Sequence, residues 1–271
     1  MEKGDPMNVY KRELRSEAKG IFFWILGTGL TLFVSMSEFL LITDSGIDIS
    51  DFMDAMPRSL MVLFGMNDLD MGTSLGYHGI MMYYVILAGV LYAAMLGVRI
   101  ISKEELLKTS EFLLTKPRSR RRILLSKALA GITLIILFTL AVYLSSVLSL
   151  EVFGGSAPYH TELFKEVVSL FLLMLLYFSL GVLSASLTAK PRLASSLILS
   201  TVFVTFLLGV FHDLLDTPLI LRLLTPFRYF PLVDLVEKNM LSASFTFLTL
   251  LLIVTAGLFS FWSYEKRDMN I

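Results

Sequence analysis

Few residues in this chain have types and spacings that could support chemistry. Glu38 is the one acid inside a long apolar stretch. A functional ionisable group in such a stretch faces a bundle interior or a cavity. Glu38 is therefore a candidate substrate-path or proton contact. It lies in the last third of its stretch, so a plain acid reached by interfacial water is the favoured reading. The three histidines, His78, His160 and His212, sit near segment boundaries with no H-E-x-x-H run around them. A metal site needs several converging ligands, so they read as interfacial polar residues and no metal is expected. With no cysteine in the chain, thiolate catalysis and Cys-ligated metals are excluded. The sequence has no G-x-x-x-x-G-K-[ST] run to cradle nucleotide phosphates and no G-x-S-x-G elbow. No catalytic residue and no cofactor bound by this chain are expected.

The remaining polar signal is one charged run, KEELLKTSEFLLTKPRSRRR, over residues 103–122. Leu106, Leu107, Ser110, Leu113 and Leu114 follow the helical period. Lys103, Glu104, Glu105, Lys108 and Glu111 supply a polar face, and Pro117 stops the helix near Lys116. An anchor at lipid headgroups explains Arg118, Arg120, Arg121 and Arg122. It does not explain the acidic, leucine-rich half, because acids gain nothing from an anionic leaflet. Docking on a partner and plain packing are equally supported by the pattern alone.

The elements that position this run are set by composition. Hydrophobic residues make up 55% of the chain and charged residues 17%, with a mean hydropathy of +0.74. That is too little charge for a soluble surface. The 23 cations and 23 anions cancel, which argues against a nucleic-acid binder. Six stretches reach the length of about 20 residues that a membrane span needs: 21–43, 79–101, 123–148, 167–189, 193–211 and 245–264. Period-2 alternation is absent, so an all-α polytopic membrane bundle is expected. No small-residue cleavage site follows the first stretch, which reads as an uncleaved span.

Lys and Arg set the orientation. Sixteen of them lie in residues 1–20, the 103–122 loop, the turn at 190–192 and the 265–271 tail, against five in the other connections. Both termini and the 103–122 loop are therefore expected in the cytoplasm of a multi-pass cell-membrane protein. The longer connections, 44–78 and 212–244, face outward. Their Phe, Met and Leu content, broken by Pro57, Pro226 and Pro231, predicts short helices at the outer interface.

The stretch SKEELLKTSEFLLTKPRSRRRILLSKALAG resembles the signature between the second and third spans of ATP-binding-cassette (ABC) transporter permeases of the type-2 exporter class. Glu104, Glu105, Glu111, Leu113, Leu114, Pro117, Ser119, Arg120, Ile123 and Lys127 carry the likeness, and Lys108-Thr109-Ser110 departs from it. AMPRSLMVLFGM at 55–66, SLGYHG at 74–79, LLTPFRYFPLVDLV at 223–236 and the ending FWSYEKRDMNI are similar to the family's outer loops and tail. The likeness covers nearly the whole chain.

The resemblance implies a permease that borrows its ATPase. ATP and Mg would bind a separate cytoplasmic ATPase subunit, and two permeases, copies or paralogues, would form the working dimer in the lipid bilayer. The coupling interface would comprise Lys103, Glu104, Glu105, Leu106, Leu107, Glu111, Phe112, Leu113, Leu114, Pro117, Arg118 and Arg120. An N-terminal amphipathic helix, supplied here by Val9–Gly20, would lie along the membrane surface. The cargo would be an amphiphilic or hydrophobic small molecule, a peptide, an ion or a lipid-like compound. The rival readings are a non-transporting scaffold or sensor subunit and an ion-gradient carrier using Glu38.

Overall fold

The computed structural model describes residues 6–46, 56–66, 69–106, 120–155, 158–215 and 219–266. The elements run α1 (Pro6–Asp44), α2 (Arg58–Leu63), α3 (Ser74–Leu106), α4 (Arg120–Phe153), α5 (His160–Leu187), α6 (Pro191–Leu215), α7 (Leu219–Leu223), a 3₁₀ turn (Pro226–Arg228), α8 (Leu232–Val236) and α9 (Ala243–Lys266). No strand occurs among the described residues. Six helices, α1, α3, α4, α5, α6 and α9, are long and apolar enough to cross a membrane. Each covers one of the six apolar stretches, and only the fourth stretch overruns its helix. There α5 stops at Leu187 because Thr188 is extended, at φ −139° and ψ 142°. The Thr188 hydroxyl then accepts the Lys190 N–H at 3.1 Å. Pro191 opens α6 at a position where its missing N–H costs nothing.

The amphipathic segment expected over Val9–Gly20 is helical and runs without a break into the first apolar stretch. α1 is one helix of 39 residues, about 58 Å long at 1.5 Å per residue. No proline interrupts it after Pro6, and Gly20 alone costs only about 1 kcal/mol of helix propensity.

α3 and α5 form the centre. In each, 72% of the apolar window is buried, against 22–28% for α1, α6 and α9. Their seam is an approach of backbones. A Cβ on Gly97 would lie 2.5 Å from the Phe178 carbonyl oxygen, and one on Gly181 would lie 2.3 Å from that of Ala94. Only glycine permits this contact, the small-residue packing that lipid favours. α4 lies against α1, and α9 against α5. Tyr92 of α3 stacks on Phe138 of α4, with centroids 5.6 Å apart. The perimeter is apolar, with Phe22 and Leu30 on α1, Phe203 on α6 and Phe259 on α9 all exposed. Such a surface is stable in hydrocarbon and unfavourable in water.

One end of the bundle holds the α1 N-terminus, the α3–α4 connection and the α9 C-terminus, and is called the basic end below. The short helices α2, α7 and α8 gather at the far end, where α8 packs on α3 and α5. A second apolar cluster, including Met36, Phe39, Tyr77, Leu163 and Val236, fills that end. Residues 47–55 of the first far-end connection, Ser50 and Asp51 among them, lie outside the described residues.

Candidate coupling site at the basic end

The charged run joins the end of α3 to the start of α4. Residues 107–119 lie outside the described residues, so Leu107, Glu111, Phe112, Leu113, Leu114, Pro117 and Arg118 receive no structural account. Glu104, Glu105 and Leu106 belong to the last turn of α3, and Arg120 is the first residue of α4. The structure adds what holds these two stems.

Tyr10, Glu13, Glu17 and Trp24 recur along α1 at intervals of three, four and seven, which puts them on one face. Each contacts α3 or α4. The Tyr10 hydroxyl is 2.9 Å from Thr133 Oγ1 on α4. Lys103 Nζ of α3 donates to Glu13 Oε2 at 3.1 Å and also to Ser16 Oγ. Arg99 Nη2, one turn earlier on α3, donates to Glu17 Oε2 at 3.1 Å. The Trp24 ring lies 5.6 Å from Tyr92.

Glu13 is the hub. Its side chain is fully buried although it carries a carboxylate. Besides Lys103, Arg12 Nη2 donates to its Oε1 at 2.9 Å. Lys127 of α4, 1% exposed, acts on it electrostatically while donating Nζ to the Ile100 carbonyl of α3 at 2.6 Å. Burial pushes the Glu13 carboxyl up, but Lys127, Arg12 and Lys103 outweigh it and hold it below the usual carboxylate range. One acid of α1 thus faces a cation from each stem of the loop. The α4 stem is tied again where Arg121 Nη2 donates to Glu265 Oε2 of α9 at 2.8 Å.

Arg99 pairs with Glu17. The sequence pattern named Lys103, which lies at the centre of the cluster, and missed Glu13 and Glu17. Their signal was present in KRELRSEAK, two acids four apart on one helical face.

At the far end His78 departs from its interfacial reading. It is fully buried, with Nδ1 3.2 Å from Glu166 Oε2, itself fully buried. The packing of α3 on α5 brings together two residues far apart in sequence. His212 lines a far-end cavity. Glu38 is exposed on the perimeter of α1, beside Phe39, whose ring packs on Tyr77 at 5.2 Å. Among the described residues, no three His, Asp or Glu side chains converge as a metal site.

No curated protein matches the chain. A family model described as "ABC-2 family transporter protein" matches residues 7–269 and so takes in all six long helices. That family is a membrane transport component rather than a catalyst, and it implies an ABC ATPase as partner. Six apolar helices in this order, with their charges gathered at the stems of the α3–α4 connection, make the chain a multi-pass membrane protein that belongs to the ABC-2 transporter family.

Proposed function

We propose that this chain is the permease subunit of an ATP-driven exporter, coupled through residues 103–122 to a separate cytoplasmic ATPase that binds ATP and Mg. One observation carries the reading. The buried carboxylate of Glu13 sits between Lys103 and Lys127, one on each stem of the loop. A loop meant only to connect two spans needs no such brace. A loop that receives force does, because an unbraced stem bends at its base and the displacement is lost.

In this reading the basic end faces the cytoplasm, as the excess of Lys and Arg there favours. Closure of the ATPase on ATP displaces the loop. Glu13 and Glu17 make the α1 N-terminus move with α3 and α4. The Gly97–Gly181 contact passes the displacement from α3 to α5 without slack, since backbone on backbone leaves nothing to compress. Two permeases rocking in this way alternate access for a hydrophobic or amphiphilic cargo.

Affinity purification of the tagged chain from native membranes tests this. The expected result is a stoichiometric soluble ATPase, with transport uncoupled from hydrolysis by alanine at Glu104, Glu105 or Leu113. Recovery without any nucleotide-binding partner in several mild detergents would overturn it in favour of a scaffold or sensor subunit. The carrier alternative draws no support from Glu38, which is exposed on the perimeter rather than inside the bundle.

A further inference from the structure

Only five Lys or Arg residues lie in the far-end connections: Arg58, Lys165, Arg222, Arg228 and Lys238. Three of them converge on one place, the last turn of α6. Arg228 Nη2 pairs with Asp213 Oδ2 at 2.5 Å, and both side chains are largely buried. Arg58, at the start of α2, donates Nη2 to the Asp213 backbone carbonyl at 3.3 Å. Arg222 of α7 donates Nε to the Arg228 carbonyl at 2.9 Å. Its guanidinium lies 4.4 Å above the Phe245 ring.

These contacts leave Arg222 with a surplus. Asp213 balances Arg228. Asp234, the other acid that acts on Arg222 electrostatically, is held by Lys238 at 2.7 Å. No carboxylate among the described residues lies within ion-pair range of Arg222. Nε is used on a carbonyl, and the aromatic face fixes the plane of the fork. The two terminal nitrogens, which match an oxyanion in bidentate fashion, have no described acceptor. Burial pushes the Arg222 pKa down, with Asp234 and Asp213 opposing. Arg222 is thus a half-buried cation with no described carboxylate paired directly to its fork.

Arg222 does not merely sit on the surface. With Arg228, Tyr83, His212 and Asp213 it lines a cavity of about 120 Å³, whose wall is mainly polar. Gly65 and Leu69 close it from the first far-end connection, and Pro231 and Leu232 from the last. Both long connections therefore fold over one small, net-positive chamber.

We propose that this chamber binds a single small oxyanion, a phosphate or carboxylate group, held principally by the Arg222 guanidinium. The group comes from an anionic lipid headgroup or from a soluble anion. The site is independent of the coupling reading above, since it lies at the opposite end of the bundle and needs no ATPase.

The test uses the full chain in phosphatidylcholine nanodiscs. Inorganic phosphate is titrated while thermal unfolding is followed. In parallel, discs doped with phosphatidylglycerol are analysed by native mass spectrometry for retained lipid. Stabilisation by phosphate, weakened about tenfold in R222Q and less in R222K, supports the site and a soluble source. No phosphate effect but retained phosphatidylglycerol, lost in R222Q, supports the site and a headgroup source. K190Q, which removes an exposed cation at the basic end, should change neither readout. Wild-type chain that responds to neither probe overturns the proposal, whatever the variants do. So does binding to R222Q as tight as to wild type. If R222Q fails to fold, the wild-type titrations and R222K decide: phosphate binding unaltered in R222K against the loss of the planar fork also overturns the assignment.

Discussion

Glu13→Gln isolates the brace. The substitution keeps the shape of the side chain and removes its charge. Of its three cationic neighbours, Arg12 is 47% exposed, and water replaces that interaction at a cost of under about 1 kcal/mol. Lys103 is 25% exposed and is partly compensated by Ser16. Lys127 is 1% exposed; it keeps its hydrogen bond to the Ile100 carbonyl but loses the nearby charge of Glu13. Breaking a buried pair by removing one partner costs about 3–5 kcal/mol. Screening of Lys103 and the retained amide oxygen put E13Q near the lower end, about 3 kcal/mol. The first assay is thermal unfolding of the purified chain, in which E13Q melts well below wild type. The second is the ratio of transport to ATP hydrolysis in the reconstituted complex, which falls while the ATPase still co-purifies. A double mutant with K127M separates brace from bulk: the pair should cost less than the sum of the single variants by about 1–3 kcal/mol. Wild-type stability and wild-type coupling in E13Q refute the brace. Strict additivity with K127M refutes the link between α1 and the α4 stem.

Three further outcomes follow from named contacts. G97A and G181A each drive a Cβ into a backbone carbonyl and should lower stability by about 1–3 kcal/mol, whereas G27A, with open space around it, should be neutral or stabilising by up to about 1 kcal/mol; equal melting temperatures for the three would remove the seam. The depressed Glu13 pKa stabilises the fold fully above its unfolded value of about 4.3, and that contribution is lost as pH falls through the lower folded value, so E13Q should flatten the acid limb of the stability profile that wild type shows. At the far end, H78L or E166L alone should destabilise by orphaning a fully buried partner, while the double H78L/E166L should recover most of that loss; a double variant whose loss equals the sum of the two singles would mean the pair is not coupled.

The six helices and the clustering of cations were legible in the sequence because both are compositional. A stretch of about 20 apolar residues has one stable outcome in lipid, and a proline such as Pro191 marks a boundary whatever surrounds it. Which helix lies beside which was not legible. α3 and α5 are apolar on all sides, as are α4 and α9, so periodicity assigns no inner face. The Gly97–Gly181 seam was half visible: both glycines invite close approach, but neither names the other. Glu13 was hidden for a different reason. A carboxylate among five N-terminal cations reads as solvated charge, and only the unbroken run of α1 past Gly20 fixes its angle to Lys103 and Lys127. His78 and Glu166 meet solely because α3 packs on α5, and nothing local to either residue reports that.

The distribution of polar contacts bears on which helices can move. Along its length α6 lies on the perimeter, with 28% of its apolar window buried. Yet its far end is pinned. Thr225 Oγ1 donates to the Thr205 carbonyl at 2.8 Å, Arg228 Nε reaches the Gly209 carbonyl at 3.4 Å, and Asp213 takes the Arg228 charge. These contacts come from the connection that leads into α9. α9 is held at the basic end by Glu265 on Arg121 and by Ser263 Oγ on the Ser186 carbonyl at 3.0 Å. Most of these polar ties sit at helix ends, while in the middle of the bundle the Tyr177 hydroxyl of α5 meets Thr205 Oγ1 of α6 at 2.6 Å. A displacement entering at the α3–α4 stems meets its stiffest resistance at the α3–α5 seam, where backbones touch, and less where α6 and α9 present side chains to the core. Rigid-body rotation about the α3–α5 pair keeps that seam intact. Bending within it would force the Gly97 and Gly181 backbones into each other, so the end contacts of α6 and α9 are the ones a moving bundle must exchange.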